Sequence, residues 1–201
     1  MTETFETTVP ARPSRWTGTW PANTAWIVVG ALTGFGLLVG GTAIAGGTWQ
    51  DAVAEDPTTA VGVAALCYLA AAVTGVRWTA WLVALLASVI PVASELLDRP
   101  RWIAFALVGL VLTGIGLARG RRATWPQALA MAGYFGVATA ALFLEPGLGL
   151  ALAGLALAAH AGWDVVHYRR DVVVNRSLAL WCIGLDLTLG GICVALALAL
   201  A

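Results

Sequence analysis

Residues 177–200 read SLALWCIGLDLTLGGICVALALAL, a run in which Asp186 is the only charged side chain. A helix of this length rises about 36 Å at 1.5 Å per residue, enough to cross the roughly 30 Å hydrocarbon core of a bilayer. The run does not alternate polar with apolar positions, which argues against a strand of a membrane barrel. Six more apolar runs precede it, at 24–45, 58–76, 79–97, 101–118, 126–144 and 147–167. The expected fold is therefore all-α, a polytopic membrane protein with seven transmembrane helices in one domain over residues 24–201. Residues 1–23 are polar and carry Glu3, Glu6, Pro10 and Pro13, the pattern of a disordered or interfacial cytoplasmic tail, with Trp16 and Trp20 as its anchor. Thr42 to Ala45 imitates a signal-cleavage site, but the long acidic leader argues against one.

Composition leads to the same class. The chain has 201 residues, 60% hydrophobic and 11% charged. Soluble domains carry roughly 25% charged residues, so this chain has too few to solvate a globular surface. The bilayer must act as the solvent, and backbone groups within it must pair internally. A net charge of zero gives no reason to expect a nucleic-acid partner. All eleven basic residues are Arg, and the absence of Lys removes any retinal-type Schiff base. Cys67, Cys182 and Cys193 form no CxxC pair and read as small packing residues within apolar runs.

The arginines orient the chain. Arg12, Arg15, Arg77, Arg119, Arg121, Arg122, Arg169, Arg170 and Arg176 fall on alternate connections, hence on one side. The other side has only Arg99 and Arg101, together with Asp51, Glu55, Asp56, Glu95, Asp98 and Glu145. The positive-inside rule then sets the N-terminus in the cytoplasm and the C-terminus outside, in the cell's inner (plasma) membrane. Gly30, Gly34, Gly36, Gly40 and Gly41 mark the first span as a close-packing helix, and Gly109, Gly133, Gly154 and Gly190 can do the same elsewhere. No internal repeat is legible, so the inverted-repeat signature of many transporters is missing.

Polar residues within the spans carry the chemistry. Both histidines lie in the stretch HAGWDVVHYRR at 160–170. His160, Asp164 and His167 follow i, i+4, i+7 and share one helix face, with Trp163 at its edge. Asp186 lies nine or ten residues into the last span, about 14 Å deep, and a short antiparallel connection brings it level with His160. A buried acid in lipid costs several kcal/mol unless paired or protonated, so such a cluster points to function. The plain alternative is an interhelical hydrogen bond, His160 with Asp186, that only sets helix register. In the third span Trp81, Ser88, Pro91 and Glu95 share a face, with Pro91 expected to kink it and Glu95 facing a cavity from outside. The alternative for Glu95 and Asp98 is a rim pairing with Arg99 and Arg101. Ten Trp residues fit an aromatic belt, while Trp163 and Trp181, with Trp78 and Trp81, can line a pocket and face a cation.

Three functions fit. The first is acid catalysis on a lipophilic substrate, by a protonated carboxyl with Trp faces to stabilise a carbocation. Arg77 and Arg169, with Arg170, would hold an anionic headgroup at the cytoplasmic mouth, and His167 would contact the substrate. In size, helix number, Trp content and isolated late acids, the chain resembles the small seven-helix integral-membrane terpene cyclases of meroterpenoid biosynthesis. That resemblance implies an isomerase- or lyase-type cyclisation without a cofactor, with Asp164 or Asp186 as proton donor and Glu95 as a further candidate. The lack of a DDxxD motif argues against ionisation of a prenyl diphosphate. The second is a zinc-dependent lipid hydrolase, similar in plan to seven-helix ceramidases, with His160, Asp164 and His167 as ligands alongside Asp186. The third is a proton-coupled carrier without enzymatic activity. In each, the partners are the bilayer and a lipophilic small molecule.

Overall fold

The computed structural model describes residues 20–44 and 54–199, and among these there are helices and turns but no strand. Residues 1–19 of the tail expected at 1–23, with the Trp16 anchor, lie outside the described residues, as do Trp49 and Asp51; Trp20 to Asn23 already belong to the first helix. The described residues form nine α-helices in order: α1 (Trp20–Ile44), α2 (Glu55–Thr74), α3 (Thr79–Ala87), α4 (Ile90–Leu96), α5 (Arg101–Ala118), α6 (Thr124–Ala130), α7 (Gly136–Ala141), α8 (Pro146–Arg170) and α9 (Arg176–Ala199). A π-helical turn, Met131–Phe135, joins α6 to α7.

Among the described residues, six helical runs are long and apolar enough to cross a membrane: α1, α2, α3 with α4, α5, α8 and α9. The expected span at 126–144 is the exception. It is helical from Thr124 to Ala141 but is broken into α6, the π turn and α7. Pro91 acts as expected in the third run. The chain breaks at Ser88–Val89, and Pro91 sits in the first turn of α4, where its missing N–H costs nothing.

Most of α2 is buried, with Val61, Leu66, Tyr68 and Leu69 among the most enclosed residues, and α3, α5, α8 and α9 pack around it. α9 is held between α1 and α8, and glycines set both contacts. A Cβ at Gly30 would collide with the Trp181 carbonyl, and one at Gly184 with the Ile27 carbonyl. On the other side, a Cβ at Gly190 would lie 2.6 Å from the carbonyl oxygen of Gly154. Small residues thus allow close backbone approach, the usual route to helix association in lipid. Gly36 and Gly40 do not take part, since nothing lies within 4 Å of a Cβ at either.

The two ends differ in charge. The turns after α2, α5 and α8 meet where Arg77, Arg121 and Arg122 border one groove with Val172. Gly75, left-handed at φ 72°, closes α2 there, its N–H donating to Ala71. At the opposite end, Arg101 pairs with Glu55 at 3.1 Å, Glu95 at 3.4 Å and Asp56 at 3.8 Å.

Candidate functional site: a buried carboxylate–imidazole cluster beside an apolar cavity

α8 and α9 are antiparallel and joined by a tight turn in which Asp171 and Val173 both take positive φ. Arg77 anchors this turn, donating to the Asp171 carboxylate at 2.9 Å and also to its carbonyl. His160 lies ten residues before the end of α8, and Asp186 ten residues after the start of α9. Equal depth along antiparallel helices brings them together. His160 Nδ1 is 2.8 Å from Asp186 Oδ2 and 3.5 Å from Asp164 Oδ2. All three residues are at most 1% exposed.

Aromatic and amide side chains complete the surroundings. Tyr68 on α2 donates its hydroxyl to Asp164 Oδ1 at 2.6 Å. The π turn presents Tyr134 edge-on to the His160 ring, with centroids 5.2 Å apart. Asp164 Oδ2 and Asp186 Oδ1 are buried without a hydrogen-bond partner. With Asp164 Oδ2 at 3.5 Å from His160 Nδ1, the second Asp186 oxygen is the acceptor left in this aromatic-walled site for a proton or a cation.

His167 is not part of this cluster. Trp163 Nε1–H donates to Gln127 Oε1 at 3.0 Å, and Gln127 Nε2 donates to His167 Nε2 at 3.0 Å. The second ring nitrogen of His167 faces the Trp163 carbonyl at 2.9 Å. Both nitrogens are engaged in a closed circuit, so His167 stands apart from its partners in the expected set of His160, Asp164 and His167. The groups that converge are His160, Asp164 and Asp186, with one donor atom from each all within 4.8 Å of one another.

A cavity of about 450 Å³ adjoins the cluster, and Asp186 is part of its wall. Cys67, Cys182 and Trp181 line the same inner region, while Asp56, Thr59 and Arg101 line its far end. Gly36 and Gly40 border it too, which explains the open space at both. Trp181 is held by Nε1–H donating to Thr33 Oγ1 at 3.2 Å.

No protein-family model, curated protein or solved structure matches the chain.

The other expected site residues scatter. Glu95 is 71% exposed and sits at the rim with Arg101, away from the cluster. Trp81 lies between Trp26 and Trp181, its ring tilted against both at centroid distances of 5.4 and 5.6 Å, and donates to Ser177. Trp78 is exposed in a separate groove with Trp26 and Trp81. Trp163 covers His167. Arg169 is exposed, and Arg77 is committed to Asp171, so none of the described arginines of that end borders the cavity containing Asp186. Sequence reasoning missed Tyr68, Gln127 and Tyr134. Each is a hydrogen-bonding side chain inside an apolar run, and that was the available signal.

Proposed function

We propose that this chain is a seven-helix enzyme of the cell's inner (plasma) membrane that uses a buried carboxylic acid to start cyclisation of a lipophilic isoprenoid-type substrate. One observation carries the reading: Asp186 is hydrogen-bonded to His160 and also forms part of the wall of a largely apolar cavity. A proton donor and a space for an alkene chain thus share one residue. The cluster of two carboxyls and one imidazole carries no net charge when the imidazole is protonated and one carboxyl also keeps its proton, the form that an apolar site favours.

In this mechanism the Asp186 carboxyl gives its proton to an alkene carbon, and the cation that forms is attacked by a second alkene to close a ring. Loss of a neighbouring C–H proton, back to the Asp186 carboxylate, yields a neutral product of unchanged mass. His160 and Asp164 adjust the charge on Asp186, Tyr68 orients Asp164, and the Trp181 indole in the cavity wall stabilises the cation. The seven-helix count takes the broken run Thr124–Ala141 as a span alongside the six longer ones. The cytoplasmic N-terminus and external C-terminus follow from nine arginines against two.

The test is to express the chain in membranes with a panel of prenylated substrates and follow products by mass spectrometry. An isomer of unchanged mass, lost in Asp186→Asn, supports the reading. Addition of water would point instead to a hydrolase. Neither product across a wide panel would favour a proton-coupled carrier.

A metal-dependent hydrolase is the second reading, favoured by the convergence of His160, Asp164 and Asp186 donor atoms. Nitrogen and carboxylate oxygen are suitable zinc donors. One tightly bound zinc per chain, lost in His160→Ala, would establish it against the metal-free cyclase.

A further inference from the structure

The cavity beside Asp186 has a direction. Along α2 its wall runs from Asp56 to Cys67, eleven residues or about 16 Å. Its charged groups lie at the two ends, Asp56 and Arg101 with Thr59 at one and Asp186 with Trp181 and Thr33 at the other, while the Ser88 hydroxyl in its wall is spent on the Ala84 carbonyl. The middle is walled by Ala60, Val63, Ala64 and Leu185. Part of the wall also belongs to the lipid-facing surface: Gly36, Leu37 and Val92 are exposed. α1 and α4 therefore flank an opening toward the bilayer. At the inner end, Asp186 Oδ1 is buried without a partner.

The outer end selects by charge. Among the described residues Arg101 is the only basic one in the cavity wall, and it already has Glu55, Asp56 and Glu95 within 4.0 Å. One cation facing three carboxylates leaves a negative rim. A phosphate or carboxylate headgroup there would meet repulsion and would have to displace the pairs of Arg101. A hydroxyl or similar uncharged donor can hydrogen-bond to Asp56 or Thr59 at no such cost. This is the opposite of an anionic head held by the arginines of the other mouth.

We infer that the cavity is a lateral binding slot for a single-chain amphiphile with an uncharged, hydrogen-bonding head, held head-first at Asp56, Thr59 and Arg101 with its chain running inward to Asp186. The inference builds on the enzyme reading by fixing the substrate's charge class and direction.

The test uses purified protein and two photo-crosslinking probes of equal chain length, a diazirine-bearing farnesol and its phosphate ester. The expected result is labelling by the farnesol probe on the segments containing Gly36 and Val92, competed by plain farnesol, with weak labelling by the phosphate. Gly36→Leu, which projects into open space, should cut labelling about tenfold or more by filling the slot. Val92→Trp at the opening is the second blocking variant. Gly114→Leu, also facing open space but outside the wall, should leave labelling unchanged. Labelling as strong as the parent's in both Gly36→Leu and Val92→Trp, or preferential labelling by the phosphate, overturns the slot. Loss of labelling in the blocking variants with no isomerised product in any membrane assay keeps the slot and discards cyclisation. Unchanged labelling in those variants alongside Asp186-dependent isomer formation does the reverse.

Discussion

Asp186 Oδ2 on α9 and His160 Nδ1 on α8 meet at 2.8 Å, at equal depth on either side of one short turn. The pair is buried from water while Asp186 also borders the cavity. A contact of this kind can hold helices in register, perform chemistry, or do both. The variants below separate the roles.

Asp186→Asn keeps the shape and a hydrogen-bonding group next to His160 but removes the transferable proton. Product formation should fall by at least about a hundredfold, the low end of what a positioned general acid contributes. Thermal unfolding in detergent should move by only a few degrees. Full activity in well-folded Asp186→Asn protein would end the general-acid role of this residue.

His160→Leu leaves two buried carboxyls without their cation and should cost about 3–5 kcal/mol. The double variant His160→Leu/Asp186→Leu replaces the pair with apolar groups and should recover part of that loss while remaining inactive. The measurement is a double-mutant cycle on unfolding. Additive losses would show that the two side chains do not interact energetically.

Tyr68→Phe deletes the donor to Asp164 Oδ1, and the other Asp164 oxygen has only the 3.5 Å contact with His160 and no hydrogen bond. A buried acceptor left unsatisfied costs about 1–3 kcal/mol. Equilibrium unfolding should show this loss, whereas Tyr134→Phe, which leaves the ring contact with His160 in place, should change stability less.

Gly184→Ala sets a methyl against the α1 backbone at Ile27 and Ala31, and forcing α1 from α9 should cost about 1–3 kcal/mol. Gly36→Ala on α1 meets open space and should stay within about 0.5 kcal/mol of the parent. Comparable melting temperatures for the two variants would mean that the α1–α9 contact is not this close.

Glu145 caps α8, accepting from the N–H groups of Gly147 at 2.9 Å and Leu148 at 3.0 Å. Those bonds hold its carboxyl below the ordinary value of 4.5. A folded-state value below the unfolded one adds stability above the unfolded value, and that stability is lost as pH falls through the folded value. The advantage of the parent over Glu145→Gln should therefore be present at neutral pH and shrink on acidification below about pH 4. Melting curves across that range check it, and a pH-independent difference would rule out an ionic cap.

Sequence was enough for the helical class and for the cluster's two best-placed members. Long apolar runs require helices because backbone groups in lipid must bond within their own segment. The 160–167 spacing and the depth of Asp186 depend only on helix rise and a short connection, both of which are local. The break at Ser88–Val89 was foreshadowed by Pro91, because proline's effect on the backbone is also local. The interruption of Thr124–Ala141 by a π turn was not foreshadowed.

Tertiary structure alone decided the rest. Tyr68 reaches Asp164 across 96 positions of chain, and Gln127 takes His167 out of the cluster across 40. Gly30 and Gly36 look alike in sequence, yet one meets a backbone and the other a cavity. Helical periodicity tells which residues share a face, but not which neighbouring helix that face meets. For that reason the chain's class and its buried acid could be read from residue order, while the donor set around the acid and the cavity beside it depended on the packing of α1, α2, α8 and α9.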